Sequence, residues 1–313
     1  MKKTITLLLF VAYTLSFFAI NESAGTKGFQ FLKLNFSARA VGMGNAYTAL
    51  SDDASAVFFN PAGLIQVKSK EIATTYMSYF EGIQSGSLVF VFPKSKTRTL
   101  AVFTQYLTAN ETRELQDEDG NYSGSAGTFG MSDLIIGVSD SRLINNILNI
   151  GFNIKYVRES LDDNSASALV FDVSVLHQTA HKNLKVGVAL KNIGRQLTYF
   201  TNSKYKEGLP TVFDVGFRFH PDRRLFIVFD LIKPLDGDFA GNIGTEYQIH
   251  KMFALRAGYK SNATDWRIGG DYEILSGMSF GVGFNWKRYN VDYAIVSYGD
   301  LGLVNQISLK YKF

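Results

Sequence analysis

The sequence predicts an all-β protein: a 14-stranded antiparallel transmembrane β-barrel with a small N-terminal hatch, or plug, that contains short helices. Three observations lead to this fold class. The chain begins with a segment typical of exported proteins, most of the remaining sequence alternates between apolar and polar residues, and the last segment ends in an aromatic residue. The composition agrees, since 26 Phe, 16 Tyr and only 5 Pro favour strands.

The N-terminus matches a secretory signal peptide. Lys2 and Lys3 form a short positive region, residues 4–20 are almost unbroken apolar sequence, and residues 21–25 are mostly small or polar. Signal peptides share this order of segments. We therefore predict a cleaved signal peptide over residues 1–25, with a retained membrane anchor as the alternative. No later stretch reaches the about 18 apolar residues of a transmembrane helix.

The rest of the chain divides into a predicted hatch, residues 26–69, and a predicted barrel, residues 70–313. Alternation is absent from the first part and dominates the second. The clearest strand is residues 277–286, where Met, Phe, Val, Phe and Trp alternate with Gly, Ser, Gly, Gly and Asn. A period of two places large apolar side chains on one face of a sheet and small or polar ones on the other.

A soluble β-sandwich would alternate as well, but further features favour a membrane barrel. The predicted strands have the about 9–11 residues that a tilted strand needs to cross a bilayer. Aromatic residues lie near strand ends, where interface girdles are expected: Tyr156, Tyr259, Trp286, Tyr289 and Tyr298. The signal peptide provides access to the outer membrane of a bacterial cell, which is the predicted location of this multi-pass protein.

Predicted loop lengths support an even number of strands. The long loops all fall at one end of the barrel: residues 110–128, 160–167, 193–209, 233–239 and 261–276. The turns at the other end are tight, and long outer loops with short periplasmic turns are typical of outer-membrane barrels. Both termini are then expected at the periplasmic end. A fifteenth strand over residues 266–274 is the alternative, and it would break this order.

The second face of each predicted strand points into the lumen and carries charges of both signs. The acidic side chains are Asp133, Asp172, Asp214, Asp230, Glu246 and Asp292, and the basic ones are Lys155, Lys185, Lys191, Arg218, Arg256 and Lys310. Because the signs are balanced, we expect an interior linked by salt bridges and not a charge-selective pore.

The C-terminal segment is similar to the insertion signal of bacterial outer-membrane barrels. Ile307, Leu309, Tyr311 and Phe313 lie on one face of the last predicted strand, and polar residues alternate with them. The expected partners are therefore the barrel-assembly machinery and outer-membrane lipid.

Residues 36–64 are the most specific stretch of the chain. Two glycines allow close backbone approach, two aspartates are placed to cap a helix beginning near Ala54, and an Asn-Pro pair ends that helix. These candidate residues are Gly42, Gly44, Asp52, Asp53, Asn60, Pro61, Ala62 and Gly63. The stretch resembles the N-terminal hatch of FadL-like outer-membrane proteins, and more closely that of the PorV/PorQ branch, and the C-terminal residues 292–313 are similar to the same branch.

The resemblance implies two different functions. FadL-type members resemble passive conduits that carry long-chain fatty acids or other hydrophobic compounds through the barrel wall. PorV-type members take part in type IX secretion and bind exported proteins. The compact chain and its C-terminal motif favour the PorV/PorQ function, a protein-binding component of secretion or surface attachment, and the FadL-like transporter is the alternative. The motif implies no substrate-binding residue; the hatch either gates the lumen or plugs it structurally.

Other functions lack support in the sequence. Basic residues do not cluster as they do in nucleic-acid-binding proteins, and the chain has no Cys. Residues 117–121 resemble part of a calcium loop, but the Gly is displaced and no bidentate Glu follows. His177 and His181 lie on a strand that runs into a turn, and not on the helix of a zinc pair. We expect no enzymatic activity, no metal and no cofactor.

Three hypotheses remain, and each makes a prediction. A secretion-associated barrel would bind proteins through residues 110–128 and 193–209. A hydrophobic transporter would have an apolar pocket among the loops and hatch that involves Phe58, Phe59 and Leu64. A purely structural barrel would show neither property.

Overall fold

A computed structural model describes residues 26–79, 82–117, 121–201, 205–262 and 273–313, with the backbone alone at residues 111–113. The predicted signal peptide, residues 1–25, lies outside the described residues, as does most of the alternative strand over residues 266–274. Glu273–Leu275 form a short 3₁₀ turn. Among the helices of the described residues, none is both long and apolar enough to cross a membrane.

The predicted 14-stranded antiparallel barrel is confirmed. Each strand pairs with its neighbours in sequence, and β14 closes the barrel against β1, from Glu71 opposite Lys312 to Ser78 opposite Asn305. The strands are β1 (Glu71–Ser78), β2 (Gln84–Ser95), β3 (Arg98–Gln116), β4 (Tyr122–Asn145), β5 (Leu148–Leu161), β6 (Asn164–Gln178), β7 (Leu184–Thr198), β8 (Val212–Asp222), β9 (Leu225–Pro234), β10 (Ala240–His250), β11 (Phe253–Lys260), β12 (Met278–Trp286), β13 (Tyr289–Ser297) and β14 (Leu303–Lys312).

Three predicted loops are shorter than expected because the strands extend into them. β3 and β4 remain paired through Asn110 opposite Gly130 and on to Gln116 opposite Tyr122, so most of residues 110–128 form a β-ribbon. β5 and β6 meet in a tight turn after Leu161, and β7 continues to Thr198. Backbone pairing with an adjacent strand satisfies more hydrogen-bonding groups than an open loop would.

The two faces of the wall differ as the alternation predicts. Large apolar side chains are exposed on the outer face, for example Phe280 and Val282 on β12, where a bilayer replaces water as the solvent. Alternate residues face inwards and are buried against the hatch. Tyr298 is an exception to the predicted aromatic girdle, because its ring packs against Tyr79, with centroids 5.5 Å apart, beside the interior cluster around Phe36.

Short helical turns fill the hatch, which the structure describes from residue 26. They are a 3₁₀ turn at Gln30–Lys33, one-turn α-helices at Ala38–Val41 and Ala56–Phe59, and a 3₁₀ turn at Pro61–Gln66. The second α-helix therefore begins two residues after the predicted start. Asp53 accepts a hydrogen bond from the Ser55 backbone N–H at 3.0 Å, whereas Asp52 binds Arg39 and caps nothing.

The N-terminus of the described chain lies at the loop end, and the prediction that both termini are periplasmic is wrong for it. Lys27 forms an isolated bridge with Gly208 in the β7–β8 loop, and the Phe29 N–H donates to Glu159 near the end of β5 at 3.1 Å. The hatch then descends through the lumen to β1, which begins beside the C-terminus at the periplasmic end. The first part of the hatch, residues 26–35, therefore forms a strap between the outer rim and the rest of the hatch.

Candidate functional site

The hatch lies so close to the barrel wall that several wall positions accommodate only glycine. A Cβ on Gly244 or Gly258 would overlap backbone atoms of Met43 and Gly44. Gly44 itself has a φ of 65°, a left-handed conformation that glycine adopts without steric cost. Gly42 faces Gly281, and a Cβ there would lie 3.0 Å from the Gly281 Cα. The predicted close approach of Gly42 and Gly44 is thus made to strands β10, β11 and β12.

Polar side chains of the wall hold the backbone of the hatch. The Asp230 carboxylate accepts hydrogen bonds from the N–H groups of Tyr47 and Thr48 at 2.8 and 2.9 Å. Ser308 accepts from the Ala38 N–H at 2.9 Å, and the Ser279 hydroxyl accepts from Gly44 at 2.9 Å. Short helices leave many backbone donors unsatisfied, and these side chains provide the missing acceptors.

An ionic cluster joins the hatch to strands β10–β14. We define it as Arg39, Asp52 and Asp53 of the hatch with Glu246, Arg256, Asp292 and Lys310 of the wall. Arg39 binds Asp52 at 2.6 Å and Glu246 at 2.8 Å, and Lys310 lies 2.6 Å from Asp53 and 3.1 Å from Asp292. Arg256 completes the cluster with Glu246 at 2.7 Å and Asp292 at 2.8 Å. Each charge has partners of opposite sign, which offsets the cost of burial.

Burial and the surrounding charges shift the pKa values of two hatch side chains. Burial would raise the pKa of Asp53, but the neighbouring Lys310 and Arg39 hold that pKa well below its usual range. Burial raises the pKa of Tyr47 well above its usual value, against the opposing effect of Arg39. Asp53 is therefore an anion, and Tyr47 a neutral phenol, throughout the physiological pH range.

Elsewhere in the lumen, the predicted salt bridges form in part, and among the described residues Asp133 and Arg218 form none. Lys155 binds Asp172 and Lys191 binds Asp214, both at 2.8 Å. Lys185 instead donates to Gln66 of the hatch.

The Asn60–Gly63 part of the motif crosslinks the hatch to itself and to β4–β6. The Asn60 side-chain amide donates to the carbonyls of Thr48 at 2.8 Å and Val175 at 3.0 Å, and its oxygen accepts from the Ala62 N–H at 3.1 Å. The Ser141 hydroxyl donates to the Ala62 carbonyl at 3.0 Å. Pro61 begins the 3₁₀ turn, and a Cβ on Gly63 would overlap Ser51.

An aromatic cluster lies between the hatch and strands β1–β6. The Phe58 ring packs edge-on against Phe36 and Phe103, with centroid distances of 6.1 and 5.7 Å. Phe58 lines two small cavities of about 20 and 10 Å³. The two other residues predicted for an apolar pocket lie elsewhere: Phe59 packs on Tyr47 at 5.1 Å, and Leu64 is fully buried in the hatch core.

A larger cavity, of about 460 Å³, opens at the loop end between the strap and strands β7–β11. Its lining combines polar side chains, among them Lys33 and Lys191, with apolar ones such as Leu32, Val212 and Ile232. Lys33 and Gln30 bind Asp236 at 2.7 and 2.9 Å. Burial would raise the pKa of Asp236, but hydrogen bonds from Gln30 and Lys33 lower it.

The predicted insertion residues lie apart from these sites, on the outer face of β14. Ile307 and Leu309 are exposed, and the Tyr311 ring packs between Tyr289 and Phe313 at 4.9 and 5.0 Å. Phe313 in turn contacts Phe90 of β2 at 6.2 Å, across the seam where the barrel closes.

Sequence reasoning missed Arg39, which touches more of the ionic cluster than any predicted site residue. A signal was present, since Arg39 is the single charge in a run of small and apolar residues from position 36 to 44. It also missed Ser279 and Ser308, whose hydroxyls look like ordinary lumen-facing groups until the hatch is placed against them.

The fold is shared with solved outer-membrane transporters. The Ralstonia pickettii toluene transporter TbuX has a TM-score of 0.63 at 12% identity, with 89% of this chain and 98% of that chain covered. The monoaromatic hydrocarbon channel CymD has a TM-score of 0.64 at 13% identity, with 89% and 98% covered. A Pseudomonas aeruginosa FadL homologue has a TM-score of 0.59 at 12% identity, with 90% and 99% covered.

No protein-family model and no curated protein matches the sequence. The structural likeness at these identities shows the FadL-like barrel fold, and it does not show membership of the PorV/PorQ branch. With its closed barrel and apolar outer face, the protein is a multi-pass β-barrel of the bacterial outer membrane.

Proposed function

We propose that the protein is a passive outer-membrane transporter of hydrophobic small molecules. The observation that carries this proposal is the aromatic cluster of Phe36, Phe58 and Phe103 between hatch and wall, in a barrel with the fold of hydrocarbon transporters. That fold supports the FadL-like alternative better than the secretion function, which the sequence motif favours.

The route that we propose for an apolar molecule passes the aromatic cluster, where the Phe58 ring separates cavities that also border polar side chains such as Lys155 and Ser308. The cavities beside Phe58, about 20 and 10 Å³, are far smaller than the roughly 150 Å³ that holds benzene in a protein core. Passage therefore needs movement of the Phe58 side chain. We assign to the hatch motif, including Gly42, Gly44 and Asn60, the role of keeping the lumen closed otherwise.

Uptake of radiolabelled toluene tests this role of Phe58, in host cells that lack other transporters of hydrophobic compounds. Phe58→Trp places a larger ring beside the two cavities and should reduce the initial rate several-fold, whereas Phe58→Ala should increase it. Phe59→Leu is the matched control, because Phe59 packs within the hatch against Tyr47. Equal rates for the native protein and both Phe58 variants would refute a route beside Phe58, and no uptake above empty cells would refute transport of this class.

A protein-binding function of PorV/PorQ type is the second candidate, and the β3–β4 ribbon favours it. β2 pairs with β3 only as far as Thr108, and β5 pairs with β4 only from Met131. Beyond these residues the described parts of β3 and β4 pair with each other, so the ribbon projects from the rim with backbone edges suited to strand addition.

Shortening the ribbon separates the two functions. Replacing residues 110–128 by a tight turn should leave toluene uptake intact, and it should abolish capture of exported proteins if the protein belongs to a secretion system. Residues 193–209 are less suitable for deletion, because Gly208 holds the strap through Lys27 and its loss would disturb the hatch.

A further inference from the structure

The periplasmic rim of the barrel carries exposed basic side chains around its whole circumference. Each of the six turns at this end has at least one in the turn or beside it: Lys96, Arg142, Lys182, Arg224, Lys251 and Arg288. We call these six residues the basic ring. Among the described residues at this end, Asp222 is the one exposed acidic side chain, and the half-buried Asp140 is already bound to Arg98 and Arg142.

The basic ring lies at the level of lipid headgroups. Trp286 and Tyr289, at the ends of β12 and β13, are exposed beside it, and aromatic side chains in this position mark the membrane interface of a barrel. Lys287, next to Arg288 in the same turn, has its Nζ 5.0 Å from the centre of the Trp286 ring. The cationic groups therefore lie just beyond the apolar belt.

Among the residues that the structure describes, the loop end has no comparable ring. Its exposed acidic side chains include Glu114, Asp162 and Asp238, and these are interspersed with basic ones such as Arg158 and Arg195. Within the described parts of the chain, a uniform excess of positive charge is thus found at the rim that contacts the periplasmic leaflet.

We propose that the basic ring binds the phosphate groups of anionic phospholipids in the periplasmic leaflet of the outer membrane. Arg and Lys form charge-assisted hydrogen bonds with phosphate, and basic residues at a membrane surface attract anionic lipid. The distribution of the charges identifies lipid as the partner. A protein would dock on one side of the rim, whereas a shell of lipid contacts every turn.

Lipid retention by the purified protein tests the proposal. The native barrel in mild detergent is mixed with equal amounts of phosphatidylglycerol and phosphatidylethanolamine of the same acyl chains, and bound lipids are counted by native mass spectrometry. The ring variant carries Arg224→Gln, Lys251→Gln and Arg288→Gln. The matched control carries three equivalent changes at the loop end, Arg158→Gln, Arg195→Gln and Lys206→Gln, all at exposed positions.

We expect the native protein and the loop-end control to retain at least about threefold more phosphatidylglycerol than phosphatidylethanolamine. The ring variant keeps three of the six basic side chains and should show a clearly smaller preference than the native protein. A salt concentration of 1 M should remove the preference of the native protein, because it screens charges beyond about 3 Å. Equal retention by the native protein, or an unchanged preference in the ring variant, would overturn the proposal; an acidic protein would then be the partner to seek.

Discussion

The hatch is attached to the two sides of the lumen by different physical means. Towards β10–β14 it is held by the ionic cluster and by backbone contacts against glycines such as Gly244 and Gly258. Towards β1–β6 it is held mainly by apolar packing around Val57, Phe58 and Leu64. Hydrogen bonds at the Asn60–Gly63 turn and one from the Ala54 N–H to the Glu71 carboxylate add to it.

This difference indicates which side of the lumen holds the hatch in place and on which side the contacts can separate to let a ligand pass. Ion pairs and backbone contacts depend on direction and distance, so a small displacement costs a large part of their energy. Apolar contacts are non-directional, and an apolar molecule can replace them without leaving a buried polar group unpaired. We therefore expect the ionic side to hold the hatch in place while ligands pass on the apolar side.

The largest expected effect follows from removing one buried charge of the ionic cluster. Lys310→Met leaves Asp53 and Asp292 without their shared cation, which should lower the free energy of unfolding by about 3–5 kcal/mol. The free energy of unfolding is measured by urea titration in detergent, with tryptophan fluorescence as the signal. Lys312→Met, at an exposed position two residues away, should change little. A loss below about 1 kcal/mol for Lys310→Met would mean that the ionic cluster does not hold the hatch.

A smaller effect is expected from adding one methyl group to the wall. Gly244→Ala would overlap the Met43 backbone, whereas a Cβ on Gly241 of the same strand would lie 3.8 Å from the nearest atom, Phe229 Cε2. Gly244→Ala should therefore cost about 1–3 kcal/mol and make residues 38–51 sensitive to protease, and Gly241→Ala should do neither. Equal protease resistance in the two variants would show that the hatch can shift away from this wall.

Acid should weaken the ionic side because of Asp53. Its pKa is depressed in the folded protein, so its contribution is complete above the ordinary carboxyl range and is lost as the pH falls below about 4 towards the depressed value. The contribution of Asp53 to the free energy of unfolding should stay constant from pH 7 to 5 and then decline. Asp53→Asn should be less stable at pH 7 and lose less on acidification. Parallel curves for the two proteins would contradict this role of Asp53.

The smallest effect is expected on the apolar side. Ile135 is buried on β4 against the hatch cluster, and Ile135→Val should cost only about 0.5–1.5 kcal/mol. The neighbouring Ile136 faces the membrane and is 50% exposed, so Ile136→Val serves as the control for the loss of a methylene group. A cost for Ile135→Val as large as that for Lys310→Met would remove the proposed difference between the two sides.

Much of the barrel was predictable because the alternation of apolar and polar residues that indicates a strand is a local property of the sequence. A period of two is visible in each strand, and an even strand number follows from alternating loop lengths. Loop boundaries were less predictable, since the β3–β4 ribbon consists of polar and small residues whose strand pairing depends on the partner strand.

The position of the N-terminus could not be predicted from alternation at all. The strap is placed by contacts with residues far along the chain, Glu159, Gly208 and Asp236, and no local pattern in residues 26–35 encodes them. The first residues of the hatch therefore lie at the outer rim, and not at the periplasmic end where they were predicted.

The sequence by itself determined the fold class, the number of strands and the face on which most strand side chains lie, because alternation within a strand and the lengths of the segments between strands are visible along the chain. Only the tertiary structure decided what the inward faces touch. The small residues of β10–β12 accommodate the hatch backbone, and Arg39 joins Asp52 and Glu246. The contact between Arg39 and Glu246 links residues 207 positions apart, and it forms only when the hatch packs inside the closed barrel.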